Sequence, residues 1–122
     1  MARWRIGAIA LDCADHKQLG MFYSRLLDTE IVYETDTLCL LRVDALWLAT
    51  KQVPNYSPPT WPDPARPKQE HFDFAVDDLD AAEVVALEAG ATKATVQPAP
   101  DDWRVMLDPA GHPFCLNVRL PD

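Results

Sequence analysis

The sequence predicts an α+β fold made of two βαβββ modules, and three observations carry that prediction. An alternating strand pattern is followed at once by a capped amphipathic helix near the N-terminus. The same order recurs in the second half. Between the halves lies a proline-rich stretch that neither helix nor sheet interior accepts. The chain has 122 residues, 48% of them hydrophobic and 25% charged, the balance of one ordinary globular domain.

Residues 5–13 alternate, with Ile9, Leu11 and Cys13 on one face and Ala8, Ala10 and Asp12 on the other. This is the period of a half-buried strand. Asp15 is placed to cap a helix, because its carboxylate can accept backbone N–H groups left free in the first turn. Leu19, Phe22, Tyr23, Leu26 and Leu27 then recur at helical spacing as one apolar stripe. Strand-like segments follow near 30–34, 37–43 and 45–50.

The connection over 51–70 holds Pro54, Pro58, Pro59, Pro62, Pro64 and Pro67, and proline removes ladder donors and blocks helix. Module one is therefore about 1–50 and module two about 71–122, within a single domain. In module two, HFDFAV over 71–76 alternates again. Asp78 caps a helix with Leu79, Ala82, Val85, Ala86 and Ala89 inward, and Gly90 ends it. A capping box from Asp80 to Glu83 is the alternative start. Strands are expected near 92–97, at 103–107 and at 114–118, with a tight Asp-Pro-x-Gly turn over 108–111. Laying Asp15 on Asp78 places Ala8 on His71 and Leu11 on Phe74. The repeat is one of pattern, since identity between the halves is almost nil. Each half would make a small sheet covered on one face by its helix, leaving the other faces to line a shared cleft.

The formal net charge of −8 argues against nucleic acid and anionic lipid, both of which demand a basic face. No apolar run is long enough to cross a bilayer. The N-terminal stretch reads as a strand rather than a signal peptide, so the expected location is cytoplasmic. Cys13, Cys39 and Cys115 are widely spaced and odd in number, which fits reduced, buried thiols. No nucleotide-binding glycine loop or Ser-His-Asp arrangement is present.

The stretch WPDP…HFDFAVDDLDAAEVVALEAGA, with WRVMLDPAGHPFCL after it, resembles the C-terminal half of small bacterial glyoxalase-like domains of the vicinal oxygen chelate superfamily. LDCAD…FYSRLL resembles the N-terminal half, with Asp28 where a glycine is usual. The resemblance implies an eight-stranded mixed sheet curled around a cleft. Its members include lyases, isomerases, dioxygenases, thiol transferases and non-catalytic drug-binding proteins, so fold leaves function open. It also implies a divalent metal held from the first and last strand of each half. Carried over position by position, His71 matches, Ala8 offers no lone pair, and Cys115 stands where Glu is usual. The fourth position is Trp47 or Ala49, depending on register. The expectation is therefore no cofactor; if a metal binds, His71 and Cys115 are its ligands.

His71 and Asp73 share the face opposite Phe72 and Phe74 and form a candidate acid–base pair. The plainer reading is a hydrogen-bonded pair that fixes strand register. Cys115 falls on the cleft side by alternation, as a pocket group or an inert buried thiol. Trp47, Trp61 and Tyr56 are candidate aromatic contacts for a flat ligand, joined by Asp12 and Asn117. Trp4 and Trp103 read as strand residues filling core, His16 as solvent-facing and His112 as part of a turn. The leading expectation is a small-molecule-binding protein with a degenerate metal site. The alternatives are a lyase or isomerase using His71 and Asp73, metal-assisted or not, and a non-catalytic structural dimer. A homodimer is expected because related domains pair.

Overall fold

A computed structural model describes residues 4–121. The elements are β1 (Ala8–Cys13), α1 (His16–Leu26), β2 (Ile31–Glu34), β3 (Leu38–Val43) and β4 (Leu46–Gln52) in the first half. The second has β5 (Asp73–Ala75), α2 (Leu79–Ala89), β6 (Thr92–Lys93), β7 (Trp103–Leu107) and β8 (Pro113–Asn117). The chain divides into two compact units, 1–57 and 58–122. Each holds one four-stranded mixed sheet, in the orders β1-β4-β3-β2 and β5-β8-β7-β6. In both, the first strand runs parallel to the last and the remaining pairs are antiparallel. The α+β fold of two βαβββ modules is thus present.

In the first unit, Asp15 caps α1 by accepting from the N–H groups of Lys17 and Gln18 at 3.1 and 3.0 Å. Leu19, Phe22 and Tyr23 are buried against the sheet, with the two rings edge to face at 4.8 Å. Burying each such side chain contributes on the order of 1.5–3 kcal/mol. After the helix, Asp28 adopts φ of 49°. This is the left-handed region a glycine would enter freely, and aspartate is among the few other residues that tolerate it.

In the second unit, Asp78 caps α2 through the N–H of Ala81, and Gly90 ends it with φ of 120°. Leu79, Ala86 and Ala89 face inward. The expected Val85 does not; it is 49% exposed, because the run LDAAEVVALEA is apolar on more than one face. Arg104 of β7 ties the helix to the sheet through Asp80 at 2.7 Å and Glu83 at 3.5 Å. The Asp108–Gly111 turn forms as expected: the Asp108 carboxylate accepts from the N–H of Ala110 and of His112, and Gly111 takes φ of 85°.

Further sequence expectations are corrected. The first strand begins at Ala8 rather than residue 5, so Trp4 fills no core and is 94% exposed. β4 continues to Gln52, into the segment read as connection. β6 ends at Lys93 instead of 97. There the Gln97 amide takes over the ladder, donating to the Ala94 and Val105 carbonyls and accepting from the Val105 N–H. Finally, His16 is buried, 3% exposed, with its ring nitrogens against the Gln52 side chain and the Thr35 carbonyl. As the first residue of α1, it is turned inward over the sheet. Among the described residues no helix is long and apolar enough to cross a membrane.

Candidate functional site

The second sheet has two chemically different faces, and pleating assigns each residue to one of them. One face carries Phe74 and Phe114, edge to face at 5.7 Å, with Phe72 beside Phe74 at 5.3 Å. Met106 and Leu116 join them in the core. The other face carries two cross-strand rows. Asp73, Cys115 and Val105 form the first, and Ala75, Asn117 and Trp103 the second. His71 precedes β5 on the Asp73 side, and the pairing reaches Phe72, whose carbonyl accepts from the Cys115 N–H at 2.8 Å.

On this second face lies a pocket of about 420 Å³, lined by Trp61, Lys68, His71, Asp73, Pro98, Trp103, Val105, Cys115 and Asn117. Its volume falls within the usual range for small-ligand sites. Its lining residues Val105 and Cys115 form a small apolar cluster with the buried Ala94, and Trp61 and Trp103 pack against that cluster. Trp61 comes from the proline-rich segment, which is fastened by its own hydrogen bonds. The Thr60 N–H donates to the Arg66 carbonyl at 2.6 Å, the Arg66 N–H donates to the Thr60 hydroxyl at 2.8 Å, and Arg66 Nε donates to the Pro58 carbonyl at 2.9 Å. Lys68 lies with its ammonium 4.9 Å from the centre of the Trp61 ring.

Within the pocket the polar groups are joined. His71 Nε2 is 3.5 Å from Asp73 Oδ2, both side chains partly exposed. The Cys115 thiol hydrogen-bonds the Asp73 carboxylate. Burial, then the Asp73 charge and that hydrogen bond, push the Cys115 thiol up to about 11, with Lys68 opposing. At neutral pH this sulfur is a protonated donor and no nucleophile, because the thiolate is the reactive form.

The site residues expected from sequence therefore separate. Trp61, His71, Asp73, Cys115 and Asn117 line one pocket of the second unit. Trp47, Tyr56 and Asp12 belong to the first unit. Trp47 stacks under the Arg42 guanidinium at 4.7 Å, and Asp12 pairs across the sheet with Lys51. Sequence reading missed Lys68, Pro98 and Val105, and placed Trp103 in the core. Alternation alone could have found Trp103 and Val105, which share a β7 face with each other. Nothing in the sequence marks Lys68 or Pro98, which stand in irregular segments.

Register also fixes which first-unit residue corresponds to Cys115. With Asp15 laid on Asp78, Ala10 corresponds to Asp73; Ala10 pairs with Ala49, and Asp73 with Cys115. The counterpart of Cys115 is therefore Ala49, not Trp47. Ala8 and Ala49, at the two first-unit positions that the resemblance implies, carry no side-chain donor atom. What does converge is His71, Asp73 and Cys115, whose donor atoms lie within 4.8 Å of one another. Such a nitrogen, oxygen and sulfur trio is a donor set that a zinc-like ion accepts. A similar trio in the first unit, His16, Glu34 and Cys39, is already engaged. The His16 ring nitrogens have the partners given above, and burial raises the Cys39 thiol, which also hydrogen-bonds Thr50.

Two βαβββ modules of this topology define the vicinal oxygen chelate fold. The chain matches the sequence model of the glyoxalase-like domain over residues 8–117, and it belongs to that family. No curated protein sequence matches it. Among solved structures, the fosfomycin resistance protein FosX from Mesorhizobium loti is similar, with a TM-score of 0.72 at 16% identity, covering 98% of this chain and 94% of that one. A mutant of FosX from Listeria monocytogenes, complexed with Mn(II) and 1S,2S-dihydroxypropylphosphonic acid, gives 0.69 at 15% identity over 97% and 91%. Lactoylglutathione lyase from Agrobacterium tumefaciens gives 0.64 at 19% identity over 96% and 95%. At these identities the likeness shows the fold.

Proposed function

We propose that this chain is a small-molecule-binding member of the glyoxalase-like family, holding an organic ligand in the second-unit pocket without the family's four-position metal chelate. The observation that carries this reading is the pocket itself: two indoles against a small apolar cluster, bordered by a few polar groups. Flat apolar surface supplies affinity, and sparse polar groups fix orientation. The ligand's apolar body would lie against Trp61 and Trp103, with its polar edge toward His71, Asp73 and Asn117. The raised Cys115 thiol supports binding over covalent chemistry at this position.

A second reading, a lyase or isomerase using His71 and Asp73, has one specific observation in its favour, the convergence of His71, Asp73 and Cys115. In it, His71 would move a proton at the ligand while Asp73 holds the imidazole in place. A metal bound by the trio would supply Lewis-acid polarisation of a ligand oxygen.

Metal content of protein purified without chelators, beside His71→Ala and with thermal melts against a library of flat organic molecules, separates the two. The binding reading expects trace metal and a shift in melting temperature with some library members. Near-stoichiometric metal that is lost in His71→Ala would overturn it in favour of the second reading.

A further inference from the structure

We infer that the second-unit pocket selects planar organic anions, aromatic carboxylates above all, with Lys68 as the residue that reads the negative charge. This deepens the binding reading above and rests on it. The charges in the pocket differ in whether they already have partners. Asp73, the pocket's only carboxylate among the described residues, accepts from the Cys115 thiol and faces His71 Nε2 at 3.5 Å. Lys68 has no carboxylate within 4.0 Å among the described residues; its ammonium sits over the Trp61 ring instead. A cation–π contact at a partly exposed site is weak and leaves the ammonium's N–H donors open to an oxyanion.

Asn117 adds to the bias. Its side-chain oxygen already accepts from the Arg119 N–H at 2.8 Å, and its two amide N–H groups are there to donate to a ligand. The pocket thus offers N–H donors from Lys68 and Asn117, and Lys68 is its one cation without a carboxylate partner among the described residues. The indoles of Trp61 and Trp103 supply flat walls, which suits a ring bearing the anion in its own plane. Lys68 lines the same pocket as both indoles, so a ring that takes its place over Trp61 exchanges a cation–π contact for a charge-assisted one between the ammonium and the ring's own carboxylate.

The test uses the full chain with benzoate, 2-naphthoate and indole-3-carboxylate, each beside its primary carboxamide as a neutral match of the same shape. Affinities come from isothermal titration at low salt. A charge-assisted hydrogen bond predicts that the carboxylates bind about ten- to a hundredfold more tightly than their amides. Lys68→Met is expected to erase that preference, while Lys68→Arg keeps it; circular dichroism melts check that both variants fold. Equal binding of acid and amide, or a preference that survives Lys68→Met, would overturn the inference and leave the pocket reading standing. Failure of every acid and every amide to bind would overturn both.

Discussion

Cys115 offers the most direct measurement of the pocket's electrostatics, through Asp73→Ala. The thiol is pushed from an ordinary 9.0 up to about 11, first by burial, then by the charge and the hydrogen bond of Asp73. At pH 8 an ordinary cysteine is roughly one-tenth thiolate; a thiol two units higher holds about a hundredfold less. Alkylation by iodoacetamide, followed site by site by mass spectrometry, should therefore find Cys115 about a hundred times slower than a free cysteine. Asp73→Ala removes the second and third causes and leaves burial, so the rate at pH 8 is expected to rise about three- to tenfold but not to recover fully. Poor access alone would also slow the reaction, and the pH profile tells the two apart. A thiolate-limited rate climbs about tenfold per pH unit beyond pH 9.5, whereas an obstructed thiol of ordinary acidity levels off near 9. A wild-type profile that levels off there, or an unchanged rate in Asp73→Ala, would refute the coupling between this thiol and carboxylate.

The same group makes the fold sensitive to alkali. The folded chain keeps the Cys115 proton up to about 11 while the unfolded chain releases it near 9.0. This contribution is whole below pH 9 and is lost as the pH rises toward 11, by about 2–3 kcal/mol in all; urea melts at pH 8 and 10.5, with Cys115→Ala as control, should show the difference shrink in the variant. Gly20→Ala places a methyl 3.1 Å from Cys39 Cβ and 3.3 Å from Thr50 Oγ1, both fully buried. Crowding of this kind outweighs the helix preference of alanine, so a net loss of about 1 kcal/mol is expected in denaturant melts, and a stabilised variant would show that this helix–sheet contact yields. Gly111→Ala combines φ of 85° with a methyl 2.7 Å from Pro58 Cβ. A loss of about 2 kcal/mol is expected, and an unchanged melting temperature would refute the tight approach of the turn to residue 58.

The fold was legible because its main signals are local. Asp15 and Asp78 precede apolar stripes at helical spacing, and strict alternation marks β1 and β5; each follows from backbone geometry within a few residues. What failed depended on partners distant in sequence. Gln97 ends β6 by bonding to Val105, His16 is buried by meeting Gln52 and Thr35, and Val85 is exposed because α2 packs by its alanines. The site divides the same way. Alternation placed His71, Asp73, Cys115 and Asn117 on one face, whereas Lys68 reaches the pocket through an irregular segment whose course no periodicity encodes.

The internal repeat gives the site its asymmetry. At equivalent positions the second unit carries His71, Asp73 and Cys115, and the first carries Ala8, Ala10 and Ala49. Strand pairing places no demand on these side chains beyond their pleat, so the first sheet keeps its register with three alanines. Polar groups at the same places in the second sheet add nothing that topology requires. Burying a thiol beside a carboxylate also has a free-energy cost, visible in the raised Cys115. With alanines at these three positions in one sheet and donors in the other, the proposed binding site falls in residues 58–122. The two sheets also make a direct experiment available. Ala10→Asp with Ala49→Cys writes the second unit's pair into the first. If pleat and register alone create the coupling, the new thiol should show the same suppressed alkylation at pH 8 as Cys115. If it reacts as an ordinary cysteine, the elevation belongs to the particular packing of Trp61, Trp103 and Val105 around Cys115, and the pocket rather than the sheet sets its chemistry.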